Sequence, residues 1–270
     1  MKIPRVIHQV HTNGITALGE EEARAIHLLK SNNPDWDYRF YDYQEMLLFV
    51  KSNYTDRYVR AFLMINPIYG AALADYFRYL LIKKVGGVYL DTKSFTAVPI
   101  ESILHENDEF VVFSWQGNPR GLYANYGVHK DINRGFEYQQ WNIISTAENK
   151  YISSVVEAIT KQIECYSFIR SGVGWEGVLK TTGPIPYTNA IEIVNDGMGI
   201  RFAGNNEVNG IFYRNDAEFP TRIYKNHYSS KFTTVILRNP FYDALACCYG
   251  LSCKIINRMR TIILTNSKVG

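Results

Sequence analysis

Four charged residues stand where they could do chemistry. Asp75 and Arg78 lie three apart in ADYFRYLLIKKV, so a helix would project both from one face. Asp91 and Lys93 close the next run, GGVYLDTK, where extended backbone would point both to the same side. A second carboxylate at position 93 would make this a site for a hard divalent cation, which wants oxygen ligands. A lysine there offers a compact positive donor suited to phosphate oxygens instead. Asp75 and Arg78 alone would read as a salt bridge on a solvated face. Their helix, however, is apolar on several sides and runs through a glycine pair into a strand with an acidic end, which favours a ligand site.

The apolar pattern predicts the scaffold. Residues 3–10 open on an apolar run that fits a buried strand and turns polar at His8, Gln9, His11, Thr12 and Asn13. Polar residues at a strand's carboxyl end are where open α/β sheets hold ligands. A helix follows over 19–31, with Ala23, Ile26 and Leu29 on one face and three glutamates, Glu20 to Glu22, in a first turn that suits negative charge. Residues 36–43 alternate aromatic and polar side chains as a second strand, so a parallel βαβ unit is expected. Residues 43–64 are helical in pattern. The clearest helix is 68–85, whose Ala72, Leu73, Tyr76, Phe77, Leu80 and Leu81 recur at helical spacing before Gly86 and Gly87 stop it. Strands are predicted at 88–90, 109–116 and 138–146, helices at 150–165 and 187–195, and loops or short hairpins over 197–221. With no repeat and no linker, residues 1–270 read as one domain, the segment from about 233 to 270 helical and packed on it.

The block ADYFRYLLIKKVGGVYLD resembles the DxD-type glycosyltransferases of family 32, which include capsular polysaccharide synthesis enzymes and fungal initiating mannosyltransferases and share this arrangement with the large clostridial glucosylating toxins. Asp75, Arg78, Gly86, Gly87 and Asp91 match the family pattern; Lys93 departs from it. IPRVIHQVHTNG resembles the family's opening strand, NPDWDYRFYD its second, TTGPIPYTNAI its Thr-Gly-Pro segment, and NHYSSKF its C-terminal His-x-x-Ser element, with Lys231 where an aromatic is usual. The likeness spans residues 3 to about 232.

The resemblance implies a GT-A architecture: an α/β fold with a Rossmann-like, mostly parallel central sheet and helices on both faces. It also implies transfer of a sugar, with retention, from a UDP- or GDP-linked donor to a glycan or glycoprotein hydroxyl. Carried over, Asp75 and Arg78 would bond hydroxyls of the donor sugar or ribose, and Asp91 would reach the ribose or a metal. His8, Gln9 and Val10 would line the nucleoside, with Gly87 beside the donor. His227 and Ser230 would close over the diphosphate. In the family a manganese or magnesium ion offsets charge on the departing diphosphate, which makes Asp91 and His227 the implied metal ligands. Asn142 matches a family asparagine that could meet a donor or acceptor hydroxyl.

Lys93 admits three readings. It could pair with Asp91 and leave an inactive nucleotide-sugar or polysaccharide binding module. It could swing away from a metal kept by Asp91, His227 and the diphosphate, although a unit charge and a divalent ion about 4 Å apart repel by roughly 8 kcal/mol at an effective dielectric near 20. Or it could replace the ion, since Asp91 and Lys93 sum to zero as two carboxylates with a divalent ion do. Charge counting sets this metal-sparing transfer first and the binding module last.

For an acceptor, Trp115, Tyr123, Tyr126, Trp141, Trp175 and Tyr187 offer rings on which sugars stack, Trp115 and Trp175 by preference because a strand end and a glycine-flanked loop suit a site. At 14% aromatic content most such rings must be packing. The literal DxD, Asp35-Trp36-Asp37, begins a strand, at the end away from the ligand crevice, and is discounted.

Composition removes other classes. With 46% hydrophobic and 20% charged residues the chain is globular, and a net charge of +3 with scattered Lys and Arg argues against nucleic acid. No apolar run reaches the roughly 18 residues of a membrane span, and the N-terminus lacks a signal-peptide core. A cytoplasmic location is expected, with the basic, aliphatic stretch from Lys254 as a weak membrane-surface candidate against a simple packed helix. The four cysteines, Cys165, Cys247, Cys248 and Cys253, show no disulfide framework, and the last three, in CCYGLSC, lack zinc spacing and read as buried helix residues. GxGxxG, GxxxxGK[ST] and GxSxG are all missing.

Overall fold

β1 (Val6–Val10) is buried at all five positions because both faces of its sheet are covered. It pairs in parallel with β2 (Asp37–Tyr41) on one side and β3 (Gly87–Leu90) on the other. β6 (Asn142–Ser145) runs antiparallel between β3 and β5 (Phe110–Ser114), and β7 (Arg201–Asn205) joins β5 in parallel. The sheet order is β2-β1-β3-β6-β5-β7, parallel but for one reversed strand. A separate ribbon pairs β4 (Phe95–Thr96) with β8 (Ile211–Phe212). The computed structural model describes residues 1–121, 123, 126–214 and 231–266, with side chains of the last helix to residue 256.

Strand residues alternate between two cores, as a period of two requires. Tyr89, Phe110, Val112 and Ile143 face a large cluster built with α2 (Tyr43–Asn53), α3 (Asp56–Met64), α4 (Gly70–Val85), α6 (Lys150–Glu164) and α9 (Pro184–Ile193). Val88, Leu90, Val111, Phe113 and Ile144 face a smaller one with α1 (Glu20–Asn32) and the short α5 (Ile100–Ile103). Helices thus cover both faces of a mostly parallel sheet, the α/β architecture expected.

α4 is buried nearly all round, which is why its pattern is the clearest in the sequence. It ends at Gly86 with φ +67, and Gly87 continues at φ +99. A Cβ on Gly87 would lie 2.6 Å from both the Val6 carbonyl oxygen and Val6 Cγ1. The glycine pair therefore lets the chain turn from α4 directly into β3 against β1.

Several elements differ from expectation. The 43–64 helix is two, because Asp42 caps α2 with a reciprocal Asp42–Glu45 box and the chain is extended at Tyr54 and Thr55 before α3. The 138–146 strand shrinks to Asn142–Ser145, since residues ahead of it turn into the cleft. Residues 201–205, expected as loop, form the edge strand β7; its half-exposed pattern gave no run of apolar side chains. Two short helices, α7 (Phe168–Ser171) and α8 (Gly174–Thr181), precede α9. Residues 233–239 are not helical but tie down by backbone bonds, Asn66 N–H to Val235 O at 2.8 Å and Leu237 N–H to Met64 O at 2.8 Å. α10 (Pro240–Asn266) then begins, with Ala246 in the core. The cysteines of residues 247–253 are a correction: Cys248 is exposed and Cys247 and Cys253 are half-buried, because α10 packs by only one side. Among the described residues no helix is long and apolar enough to cross a membrane.

Gly87→Ala should cost about 3 kcal/mol or more, combining positive-φ strain with overlap on backbone. Gly135→Ala, at φ +90 with open space around its Cβ, should lose only about 1 kcal/mol. Urea unfolding midpoints of the two variants check this difference.

Candidate functional site

Arg78 organises the site. It is 3% exposed and reaches four groups: Nη2 donates to Asp75 Oδ1 at 2.7 Å, Nη1 to the Gln140 carbonyl at 2.8 Å and lies 3.1 Å from Asp91 Oδ1, and Nε donates to Ala74 O at 3.3 Å. Its guanidinium also sits over the Tyr89 ring, 4.6 Å from the centroid. Burial works against the charge, but Asp91, Tyr89 and Asp75 outweigh it and raise Arg78 above the ordinary guanidinium value. One cation thus joins α4, the end of β3 and the residues entering β6.

Its two carboxylate partners differ. Asp75 is 3% exposed and accepts from Thr182 Oγ1 at 2.9 Å as well as from Arg78. Burial pushes it up to about 6 against the pull of Arg78 and Thr182. Asp91 keeps 29% of its side chain exposed; its Oδ1 accepts from the Tyr89 hydroxyl at 2.8 Å. Burial holds Tyr89 well above the usual phenol value, so it stays a donor.

The backbone at Asp91 is not the extended strand the sequence suggested. β3 stops at Leu90, and Ser94 N–H bonds back to Asp91 O at 2.8 Å, so Asp91 to Ser94 form a turn. Lys93 nevertheless lines the same cleft as Asp91. Gln9, fully buried, pins the turn by donating from Nε2 to Asp91 O at 3.0 Å, while Tyr38 donates to Gln9 Oε1 at 2.8 Å.

Two cavities meet here. One, of about 290 Å³, opens at the carboxyl ends of β1 and β3, between Val10, His11 and Thr12 on one side and Gly70 and Ala71 of α4 on the other. The second, of about 410 Å³, is lined by Trp115, Tyr123, Tyr126, Trp141, Trp175 and Glu137, among others. Ala71, Arg78, Asp91, Lys93 and Tyr213 line both. Asp37 lies at the other end of the sheet, paired with Val6, so the literal DxD faces away from this cleft.

Other expected residues take different places. His8 is fully buried, with Nε2 3.1 Å from Gly86 O and Nδ1 3.2 Å from Tyr41 Oη, and lines neither cavity. Burial lowers it to about 4, so it is neutral at pH 7; the carbonyl can only accept, which puts its proton on Nε2 and lets Nδ1 accept from Tyr41. Gly87 begins β3, roughly 13 Å of strand from Asp91, and lines neither cavity. Of the three β1 residues, only Val10 reaches the cleft wall. Tyr187 is buried and stacks on Tyr79 at 5.4 Å, away from the cavities. Asn142 is buried and donates to Gln139 Oε1 at 2.7 Å. His227 and Ser230 lie outside the described residues.

Sequence reasoning missed Glu137 and His129. Glu137 is 7% exposed; its Oε1 accepts from Trp115 Nε1 at 2.6 Å and its Oε2 lies 2.7 Å from His129 Nε2. Gly127 at φ +75 makes this possible, since a Cβ there would lie 2.5 Å from Trp115 Cδ1 and 2.8 Å from Glu137 Cγ. That glycine, in the segment between β5 and β6, was the available signal. Trp141 Nε1 is buried with no acceptor among the described residues, an arrangement that typically costs about 1–3 kcal/mol until a partner arrives.

Among the described residues the donor set at Asp91 is a poor one for a divalent metal; His227, the other expected ligand, lies outside them. Among the described residues no three His, Cys, Asp or Glu side chains converge. Asp91 already shares an oxygen with a guanidinium and a phenol, and Lys93 lines the same space.

Residues 19–110 match the family model described as the glycosyltransferase sugar-binding region containing the DXD motif. That segment includes Asp75, Arg78, the glycine pair, Asp91 and Lys93. The fold is that of GT-A type glycosyltransferase domains. The UDP-bound glycosyltransferase domain from the YGT toxin aligns with a TM-score of 0.52 at 9% identity, over 80% of this chain and 82% of its own. The ligand-free form of that domain aligns at 0.50 with 11% identity, over 74% and 79%. No curated protein matches the chain by sequence.

Because Asp75 is held above the usual carboxylate range near 4, the folded protein binds a proton there that the unfolded chain has released. This contribution to stability is full below about pH 4 and is lost as pH rises to about 6. Asp75→Asn should remove that slope, on the order of 3 kcal/mol between pH 4 and 7. Urea unfolding of wild type and variant across this range measures it; parallel pH profiles would refute it.

Proposed function

We propose that the chain is a nucleotide-sugar-dependent glycosyltransferase related to family 32, forming a single GT-A domain and transferring a hexose, with retention, to a glycan or glycoprotein hydroxyl. The observation that carries this is the junction of two cavities at Arg78, Asp91 and Lys93, at the carboxyl edge of the sheet, within the segment matched by the DXD family. A UDP- or GDP-linked donor suits the smaller cavity, its nucleoside against Val10, His11 and Thr12 and its diphosphate toward Lys93 and Arg78. The sugar then points into the aromatic cavity, where the acceptor enters. His227 and Ser230 remain candidates for closing over the diphosphate.

Breaking the bond between the anomeric carbon and the diphosphate puts negative charge on phosphate oxygens, and preorganised cations there lower the barrier. Arg78 is fixed by four partners before any ligand arrives, so it costs no reorganisation. Lys93 supplies the second positive charge where the family's second acid would help hold a metal. Asp91, tied by Tyr89 and Gln9, orients the turn that carries Lys93 and offers its exposed oxygen to a donor hydroxyl.

Turnover of a panel of UDP- and GDP-sugars, in chelator and in manganese, tests this reading. Donor hydrolysis or transfer should persist in chelator, and Lys93→Ala should lower kcat/KM about 100-fold. Lys93→Asp should be poor in chelator and regain activity with manganese. Activity that vanishes in chelator would sink the lysine-for-metal reading, and nucleotide binding without turnover of any donor would identify a binding module instead.

A further inference from the structure

Trp175, at the start of α8 and half exposed, lines the aromatic cavity and also a third cavity of about 370 Å³ between α8 and α10. α8 and the residues just before it wall both: Val178 and Leu179 face the first, Gly172, Val173 and Glu176 the second. Phe232, Tyr249 and Lys254 also line this third cavity. We propose that these two cavities form one acceptor channel for a linear oligosaccharide, and that Trp175, at their junction, is the residue that makes binding depend on chain length. This rests on the glycosyl-transfer reading and extends it.

The chemistry of the walls suits a sugar chain. Pyranose rings present apolar C–H faces that stack on aromatics and hydroxyls that need polar partners. Trp115 lies 5.0 Å from Tyr123, 5.7 Å from Trp141 and 5.7 Å from Tyr213 between ring centroids, giving a contiguous aromatic wall next to Arg78 and Asp91. Set among these rings are Trp141 Nε1, buried and without an acceptor among the described residues, and the buried Glu137 carboxylate that holds Trp115 and His129. An indole donor lacking an acceptor points to a ligand oxygen. Beyond Trp175, Lys231 and Lys254 add donors along the second cavity. Each cavity is of small-molecule size, so the pair holds more than one ring with Trp175 between subsites. A lone monosaccharide or a small aglycone would leave the outer cavity unused.

The test uses malto-, cello-, manno- and chito-oligosaccharides of one to six units, read by tryptophan fluorescence and by transfer from the active donor. At least one series should bind about tenfold or more tightly at four units than at one, and Trp175→Ala should flatten that rise. The ratio of long to short is the readout, so a general loss of affinity does not mimic it. Binding that ignores length in every series, no binding in any, or a rise retained in Trp175→Ala each overturns the channel. Donor hydrolysis without acceptor, measured alongside, reports on the glycosyl-transfer reading separately: its absence counts against that reading, while oligosaccharide binding still decides the channel.

Discussion

A buried guanidinium must be neutralised and hydrogen-bonded or it destabilises the fold, and Arg78 meets that demand by gathering the site around itself. Asp75 comes from the same helix, Asp91 from the end of β3, and the Gln140 carbonyl from the chain entering β6. Three separate segments are thus held within hydrogen-bond reach of one planar group. The fixed fork of an arginine suits this; a lysine, with a single charged point, would serve only part of it. Stability and site geometry therefore draw on the same contacts, and Asp75, though deeply buried, both supports Arg78 and lines the aromatic cavity.

Much of the donor half was legible in the sequence because its signals are local. α4 carries an unbroken helical period ended by Gly86 and Gly87, and β1 and β3 are apolar runs with polar exits. The roles inside that half were less legible. His8 and Gln9 look like ligand residues at a strand end, yet a strand covered on both faces buries alternate side chains regardless of polarity, so His8 supports Gly86 and Gln9 supports Asp91. Nothing in the residue types distinguishes a polar side chain that faces a ligand from one that holds the loop that does. Gly87 was similarly ambiguous: a close approach to another strand and a close approach to a ligand both require the same missing Cβ.

The aromatic half of the cleft is legible in the sequence mainly as a set of ring residues, because its order comes from contacts between distant segments. Trp115, Glu137 and His129 meet only once β5 and β6 are side by side, and the glycine that permits it, Gly127, is one of many in the chain. The edge strand β7 was missed for a related reason: a strand exposed on part of its surface carries no continuous apolar run.

The single reversed strand has a further consequence. In a wholly parallel sheet, chain leaves the ligand edge at every strand end and must return from the opposite side. Because β6 runs the other way, the chain that exits β5 at Trp115 re-enters the sheet at Asn142 on the same edge. The intervening segment is a closed excursion with both feet anchored beside the site. Its second foot also holds the helix that carries Arg78, through the Gln140 carbonyl, so the excursion and the buried cation share one anchor. The reversed strand therefore brings the aromatic wall of the cleft to the same sheet edge as the helix that carries its buried cation.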